Sequence, residues 1–464
     1  MTPNFKDTVV ALSTAPGSGA IAVLRLSGNN ALAILAPFVF NKKRQHIGID
    51  ESAAGKNNFA LICQAEQIID EVLIHVFVAP KSYTGEHVVE IACHGSMYIQ
   101  QRLLQLLLGA GARMAEPGEF TLRAFFNGKF DLSQAEAVAD LIASDSEVSH
   151  KLAMQQMRGG YSQKIKQLRE QLINFASLIE LELDFSEEDV EFANRAQLTD
   201  LLSSVSNLIK QLLNSFAIGN VLKTGVPVAI VGKPNAGKST LLNALLQEER
   251  AIVSDIPGTT RDTIEDEISI EGIRFRFIDT AGLRHSADTI EQIGIKRTYD
   301  AVKKAAVVLY LFDAAQTPAV DLAKDLQDLQ PFTTDAKIIC VANKSDVLLA
   351  EGLEISLPGD VRLLHVSALT GYNIDILKQH LAHLYAWENI GTGDTLVSNA
   401  RHADALAKAA EHLDQVNQGI HEQLSGELLA QTIRAAIEQL GHITGEVSSN
   451  DLLTNIFSKF CIGK

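Results

Sequence analysis

Gly232-Lys233-Pro234-Asn235-Ala236-Gly237-Lys238-Ser239 fills every position of the phosphate-cradling pattern G-x-x-x-x-G-K-[ST]. An apolar run, Val226 to Val231, precedes it, and a leucine-rich stretch, Thr240 to Leu246, follows. That is the strand, loop and helix order the pattern needs. Glycines let the backbone close around a phosphate, so successive N–H groups point inward. The N-terminus of the following helix adds partial positive charge. Asn235, Ala236, Gly237, Lys238, Ser239 and Thr240 are therefore expected to contact a nucleotide. Lys238 is expected to reach the outer phosphates as a catalytic group, and the Ser239 hydroxyl to ligate Mg²⁺.

Which base is bound is decided further along. Asn343-Lys344-Ser345-Asp346 follows the apolar run Ile338 to Ala342. In N-K-x-D GTPases the Asp carboxylate accepts two N–H bonds from guanine. Adenine presents no such donor pair, so the carboxylate would be left unpaired and ATP rejected. Ser367-Ala368 is expected as the companion guanine loop. Asp279-Thr280-Ala281-Gly282 follows a strand-like alternation of Ile273, Phe275 and Phe277. Asp279 is expected to act on Mg²⁺ through a water, and the Gly282 N–H to sense the terminal phosphate. Between these motifs, Thr260 of Gly258-Thr259-Thr260-Arg261-Asp262 is expected to complete the Mg²⁺ shell.

Leu283 follows Asp-Thr-Ala-Gly, where many signalling GTPases carry a water-positioning Gln. No arginine finger can be named. Asn235 is instead a candidate to hold a monovalent cation. The loop Ser254 to Thr259, which includes Ile256, Pro257 and Gly258, is expected at the nucleotide and could supply further oxygens. Glu291 is a candidate to orient water through a relay, although most helical Glu residues are simply solvated.

Together these motifs resemble the tRNA-modification GTPases of the MnmE or TrmE family. The resemblance covers the whole chain: Asp7-Thr8-Val9-Val10-Ala11, Ala15-Pro16-Gly17-Ser18-Gly19, Val23-Leu24-Arg25-Leu26-Ser27-Gly28, Ser82-Tyr83-Thr84-Gly85-Glu86, Pro117-Gly118-Glu119-Phe120-Thr121, Arg123 to Lys129, and the terminal Phe460-Cys461-Ile462-Gly463-Lys464. It implies a potassium-activated GTPase that dimerises through its N-terminal domains. It further implies an FAD-containing MnmG-type partner, in a heterotetramer or larger complex. Together the two install an aminomethyl or carboxymethylaminomethyl group at C5 of the wobble uridine of certain tRNAs. The one-carbon unit comes from 5-formyltetrahydrofolate or a related reduced folate. By the same resemblance, Arg25, Glu86, Lys129 and Lys464 contact folate. Asn235, Ser254, Ile256 (through its carbonyl) and Thr259 hold K⁺, Ser239 and Thr260 hold Mg²⁺, and Glu291 serves GTP hydrolysis. Ser254 stands where the family often has Thr, and His94-Gly95-Ser96 replaces a common His-Gly-Gly.

The chain has 464 residues, too many for one hydrophobic core. Its 46% hydrophobic and 21% charged content suit a globular protein. Four scattered cysteines show no disulfide framework, Met1 to Asp7 holds no apolar signal core, and the longest apolar runs, such as Ala305 to Phe312, are too short for a membrane span, so a cytoplasmic location is expected. A net charge of −16 opposes a broad nucleic-acid-binding face. Any tRNA would then be gripped largely through the partner.

Residues 1–118 mix short strand-like runs with one or two helices, an expected α+β domain for folate binding and dimerisation. Tyr161, Ile165, Leu168, Leu172, Phe175, Ile179 and Leu183 recur at helical spacing. The acidic run Glu187-Glu188-Asp189 reads as an exposed helix connection. Residues 223–385 alternate strands and helices, the mark of a doubly wound, mostly parallel α/β sheet. Residues 119–222 and 386–464 form an expected all-α domain with the α/β domain inserted in it. Two function classes remain on residues alone. One is a GTP-hydrolysing enzyme with one-carbon chemistry; the other is a nucleotide-dependent binding switch for ribosomal or signalling partners. Asp346 disfavours an ATPase. Cys461 is read as a small apolar residue rather than a nucleophile.

Overall fold

The computed structural model describes residues 5–184, 195–246, 266–278, 299–333, 336–347, 362–386 and 396–463. The acidic run at 187–191 and Lys464 lie outside them. The chain divides into two compact units: Met1–Ala139 with Gln156–Leu198 and Gln415–Lys464, and Asp140–Gln155 with Thr199–Asp414.

The first unit is built on seven strands: β1 (Val9–Leu12), β2 (Ile21–Ser27), β3 (Val39–Phe40), β4 (Asn58–Gln64), β5 (Gln67–Phe77), β6 (Val88–His94) and β7 (Arg113–Met114). Their order is β3-β4-β5-β6-β2-β1-β7, antiparallel except for the β1–β7 pair. Period-two alternation sends Ala22, Leu24 and Leu26 of β2, with Val72, Ile74 and Val76 of β5, to one face. There they meet Ala31, Ile34 and Leu35 of α1 (Ala31–Leu35) and Leu103, Leu106 and Leu107 of α2 (Met97–Gly109) in one core. The opposite parity of β2 and β6 places Arg25 directly across from Glu90.

Gly118 takes φ +70 and starts α3 (Glu119–Phe126), where a Cβ would lie 2.7 Å from the Phe457 carbonyl. Only glycine fits there. The helical part of this unit carries the expected stripe. Tyr161, Ile165, Leu168, Leu172, Phe175 and Ile179 of helix Gly160–Asp184 are all buried, and that helix packs along helix Gly426–Thr444. Arg169 fastens the pair by donating to the Ile437 carbonyl at 3.2 Å.

The second unit holds six strands: β8 (Val226–Val231), β9 (Asp266–Ile270), β10 (Ile273–Phe277), β11 (Val307–Asp313), β12 (Lys337–Asn343) and β13 (Arg362–His365). The order is β13-β12-β11-β8-β10-β9, parallel throughout except for the β9–β10 hairpin. This is the doubly wound sheet the alternation predicts. Its inner strands are near-continuous apolar runs because both faces are covered. Leu309 and Leu311 join one buried cluster, while Val308, Tyr310 and Phe312 join another. The Val148 N–H also bonds the Gly272 carbonyl at 3.2 Å, so the helix Glu147–Met157 begins on the tip of the β9–β10 hairpin. Among the described residues, no helix is long and apolar enough to cross a membrane.

Candidate functional site

The phosphate loop leaves the C-terminal end of β8 and runs into helix Lys238–Leu246. Ligands of open α/β sheets bind at this end of the strands. Gly232 has φ +149, and a Cβ on it would fall 1.9 Å from the Leu311 carbonyl of the neighbouring strand. Asn235 adopts φ +62 and Gly237 φ +95, the reversals that curl successive amides toward one point. The Lys238 ammonium donates to the Gly232 carbonyl at 2.7 Å and the Lys233 carbonyl at 3.0 Å, closing the loop on itself. Burial lowers its pKa. An anion in the loop would offer this ammonium a charged partner in place of two carbonyls.

Three sequence-predicted segments converge through one side chain. Asn343, at the end of β12, is 3% exposed. Its Nδ2 donates to the Ala236 carbonyl at 2.8 Å, and its Oδ1 accepts from the Ala368 N–H at 2.9 Å. The phosphate loop, the Asn-Lys-Ser-Asp loop and the Ser367-Ala368 loop are thereby held in fixed spacing. Lys344 has φ +62 and pairs with Asp313 at 2.7 Å. Burial would raise the Asp313 carboxyl, but hydrogen bonds from Lys344 and the Ala315 N–H outweigh it and hold it low. The Ser345 N–H bonds the Val366 carbonyl at 3.1 Å, and the Ser367 N–H the Tyr372 carbonyl at 3.0 Å. Asp346 is exposed. Asn235 and Thr240 are exposed, and Ser239 is half-buried at the first turn of the helix.

Lys233 was not singled out by sequence. Its ammonium sits 3.2 Å from Asp325 and 3.5 Å from Asp321, and the Tyr310 hydroxyl donates to the same Asp325 at 2.6 Å. This bridges the outer edge of the phosphate loop to helix Ala319–Leu329. Ser254, Ile256, Pro257, Gly258, Thr259, Thr260, Asp279, Thr280, Ala281, Gly282 and Glu291 lie outside the described residues.

A second polar site occupies the first unit. Arg25 bonds Glu90 at 2.7 Å, and its guanidinium lies over the Tyr83 and Phe120 rings at 5.2 and 5.6 Å. Glu86 accepts from the Ser27 hydroxyl at 2.6 Å. The loop bearing Glu86 is braced from α3 and its continuation: Asn127 donates to the Thr84 carbonyl at 2.7 Å, and Lys129 to the Pro80 carbonyl at 2.9 Å. Gly463 packs on β1, its carbonyl accepting from the Ser13 hydroxyl at 3.2 Å. With φ +97, it could carry no Cβ, which would fall 2.2 Å from the Leu12 carbonyl. Arg25, Glu86 and Lys129 thus share one region of the N-terminal fold, and the chain end docks beside it. Cys461 is exposed. Arg123, quoted above only for resemblance, is fully buried and pairs with Asp7, Glu86 and Glu119 in one ion network of this region.

The family description "MnmE helical domain" matches residues 132–461, and "GTP-binding protein TrmE N-terminus" matches residues 8–129. The tRNA modification GTPase MnmE of Christiangramia forsetii is 52% identical, covering 99% of this chain and 100% of its own. That of Cytophaga hutchinsonii is also 52% identical, over 99% and 98%. That of Bacteroides fragilis is 47% identical, over 99% and 100%. Among solved structures, the FeoB G domain of Methanococcus jannaschii is 27% identical over 35% of this chain and 98% of that one, with a TM-score of 0.25. The fold assignment rests on the sheet topology instead. Half of all positions are shared with such relatives from one end to the other, and so the chain belongs to the tRNA modification GTPase MnmE family.

Proposed function

We propose that this chain is the GTP-hydrolysing component of a tRNA modification enzyme that acts at C5 of the wobble uridine. The observation that carries the reading is the Asn343 bridge, which joins the glycine-rich loop to the loop that bears the exposed Asp346. The amides of residues 235–240 would cradle the phosphates, and Lys238 would exchange its two carbonyl partners for the outer phosphates. Asp346 would accept the paired N–H donors of guanine.

The residues present suit hard cations, which take oxygen ligands. Ser239 offers a hydroxyl at the helix start, and Asn235 an exposed amide in the curled loop. Ser239 and Thr260 would hold Mg²⁺; Asn235, Ser254, Ile256 and Thr259 would hold K⁺. When bound, these ions neutralise negative charge on the phosphates. Glu291 would orient the attacking water. Arg25, Glu86, Lys129 and Lys464 would hold a reduced folate such as 5-formyltetrahydrofolate. The first three gather in one region, and Gly463 brings the chain end to β1.

The active form in this reading is a cytoplasmic homodimer working with an FAD-dependent MnmG-type partner. The net charge of −16 leaves most of the electrostatic grip on tRNA to that partner. GTP turnover in K⁺ against Na⁺, with and without the partner, is the test. Faster turnover in K⁺ supports the reading. Identical rates in both salts would remove the potassium assignment.

A further inference from the structure

We infer that Arg123, with Ser27, is a positioning residue that holds the Glu86 carboxylate in one orientation for a ligand. The inference rests on the folate reading above, and concerns how that site is prepared. Arg123 is fully buried, so each guanidinium nitrogen must find an acceptor. Nε and Nη2 donate to Glu119 at 3.2 and 2.8 Å, and Nη2 also to the Asp7 carboxylate at 2.7 Å. Nη1 donates to the Asp7 carbonyl at 3.0 Å and to the two Glu86 oxygens at 3.2 and 3.3 Å. The Phe5 ring, 4.6 Å away, covers the guanidinium.

The distribution of charge singles out Glu86. Asp7 and Glu119 are each bonded to both Arg113 and Arg123. Of the two arginines, Glu86 is bonded to Arg123 alone, at 3.2 and 3.3 Å. Two guanidiniums face three carboxylates, and the surplus negative charge resides on Glu86. That side chain retains 11% exposure, so one edge stays open to solvent. The Ser27 hydroxyl, itself 2.7 Å from the Thr84 hydroxyl, fixes its second oxygen at 2.6 Å. A carboxylate has about four lone-pair sites, so acceptor capacity remains for the paired N–H donors of a pterin ring. A network serving stability alone would have no need of an under-neutralised, partly exposed member.

The test is calorimetric titration of the full-length protein with 5-formyltetrahydrofolate. Glu86→Gln is expected to weaken binding about ten- to hundredfold, the loss of a charge-assisted bond. Arg123→Lys, which keeps the charge but not the fork, is expected to weaken it about tenfold or more. The double variant is expected to be no weaker than Glu86→Gln, because Arg123 acts through Glu86. Additive losses, or wild-type affinity in Arg123→Lys, would overturn the inference. If Arg123→Lys does not fold, Ser27→Ala removes the other orienting bond and must show the same non-additivity. Absence of any saturable folate binding by the wild-type protein would sink the folate reading instead. The positioning role then stands or falls on a crystal structure of Arg123→Lys or Ser27→Ala. A displaced Glu86 carboxylate supports it, and one in its wild-type place overturns it.

Discussion

Replacing Asn343 by Ala removes one side chain that ties its own loop to two others and leaves two orphans. The Ala236 carbonyl loses a donor at 2.8 Å, and the Ala368 N–H loses an acceptor at 2.9 Å. An unsatisfied buried polar group costs about 1–3 kcal/mol. Asn343 is 3% exposed, so water regains only part of that, and a total of about 2–4 kcal/mol is the working figure. The loss divides between stability of the α/β unit and nucleotide affinity, because the nest and the base loop no longer keep their spacing. Half of it taken in binding weakens GDP by about five- to thirtyfold. Displacement titration with a fluorescent GDP, at fixed Mg²⁺ and K⁺, reads the binding share. Urea unfolding reads the stability share. Unchanged affinity together with an unchanged unfolding midpoint would refute the bridging role.

Other substitutions follow the same geometry. Gly237→Ala forces an L residue to φ +95 with its Cβ 2.4 Å from Asn343 Nδ2, so GTP affinity should fall by about tenfold or more while the first unit keeps its stability; differential scanning calorimetry separates the two. Gly463→Ala should release the chain end from β1, seen as faster carboxypeptidase trimming and loss of folate binding. For pH, burial raises the Asp7 and Glu119 carboxyls, but hydrogen bonds, led in each case by Arg113, hold both below their ordinary 3.8 and 4.5. Their folded-state pKa values are depressed, so the stabilisation is full above about pH 5 and is lost as pH falls through and below those values. The opening free energy of the β1 and β2 amides, read from hydrogen exchange after division by the intrinsic exchange rate at each pH, should therefore fall below pH 4.5 and stay flat from pH 6 to 8.

The described parts of the candidate nucleotide site were legible because each is a contiguous motif at a strand end. Val226–Val231 and the run ending at Asn343 read as buried strands from apolar content alone, and the glycine pattern supplied the loop. The helix stripe from Tyr161 to Ile179 was equally plain, since one face is buried along its length. The Arg123 network was not. Its members Asp7, Glu86, Arg113, Glu119 and Arg123 come from two loops, a short strand and a helix, and nothing in local spacing says which carboxylate meets which guanidinium. The Lys233 bridge escaped for the same reason, its partners Asp321 and Asp325 lying on a distant amphipathic helix where charges usually face solvent. The two-residue strands β3 and β7 are too short for any period to show.

Whether the exposed Asp346 and an amide nest at Gly237 act as one receptor is best settled by paired calorimetry with GTP and ATP on the wild-type protein and on Asp346→Asn. Wild type should bind GTP at least about a hundredfold more tightly than ATP, with the difference collapsing in Asp346→Asn. Equal affinities in the wild-type protein, or a preference for GTP that survives the substitution, would contradict it.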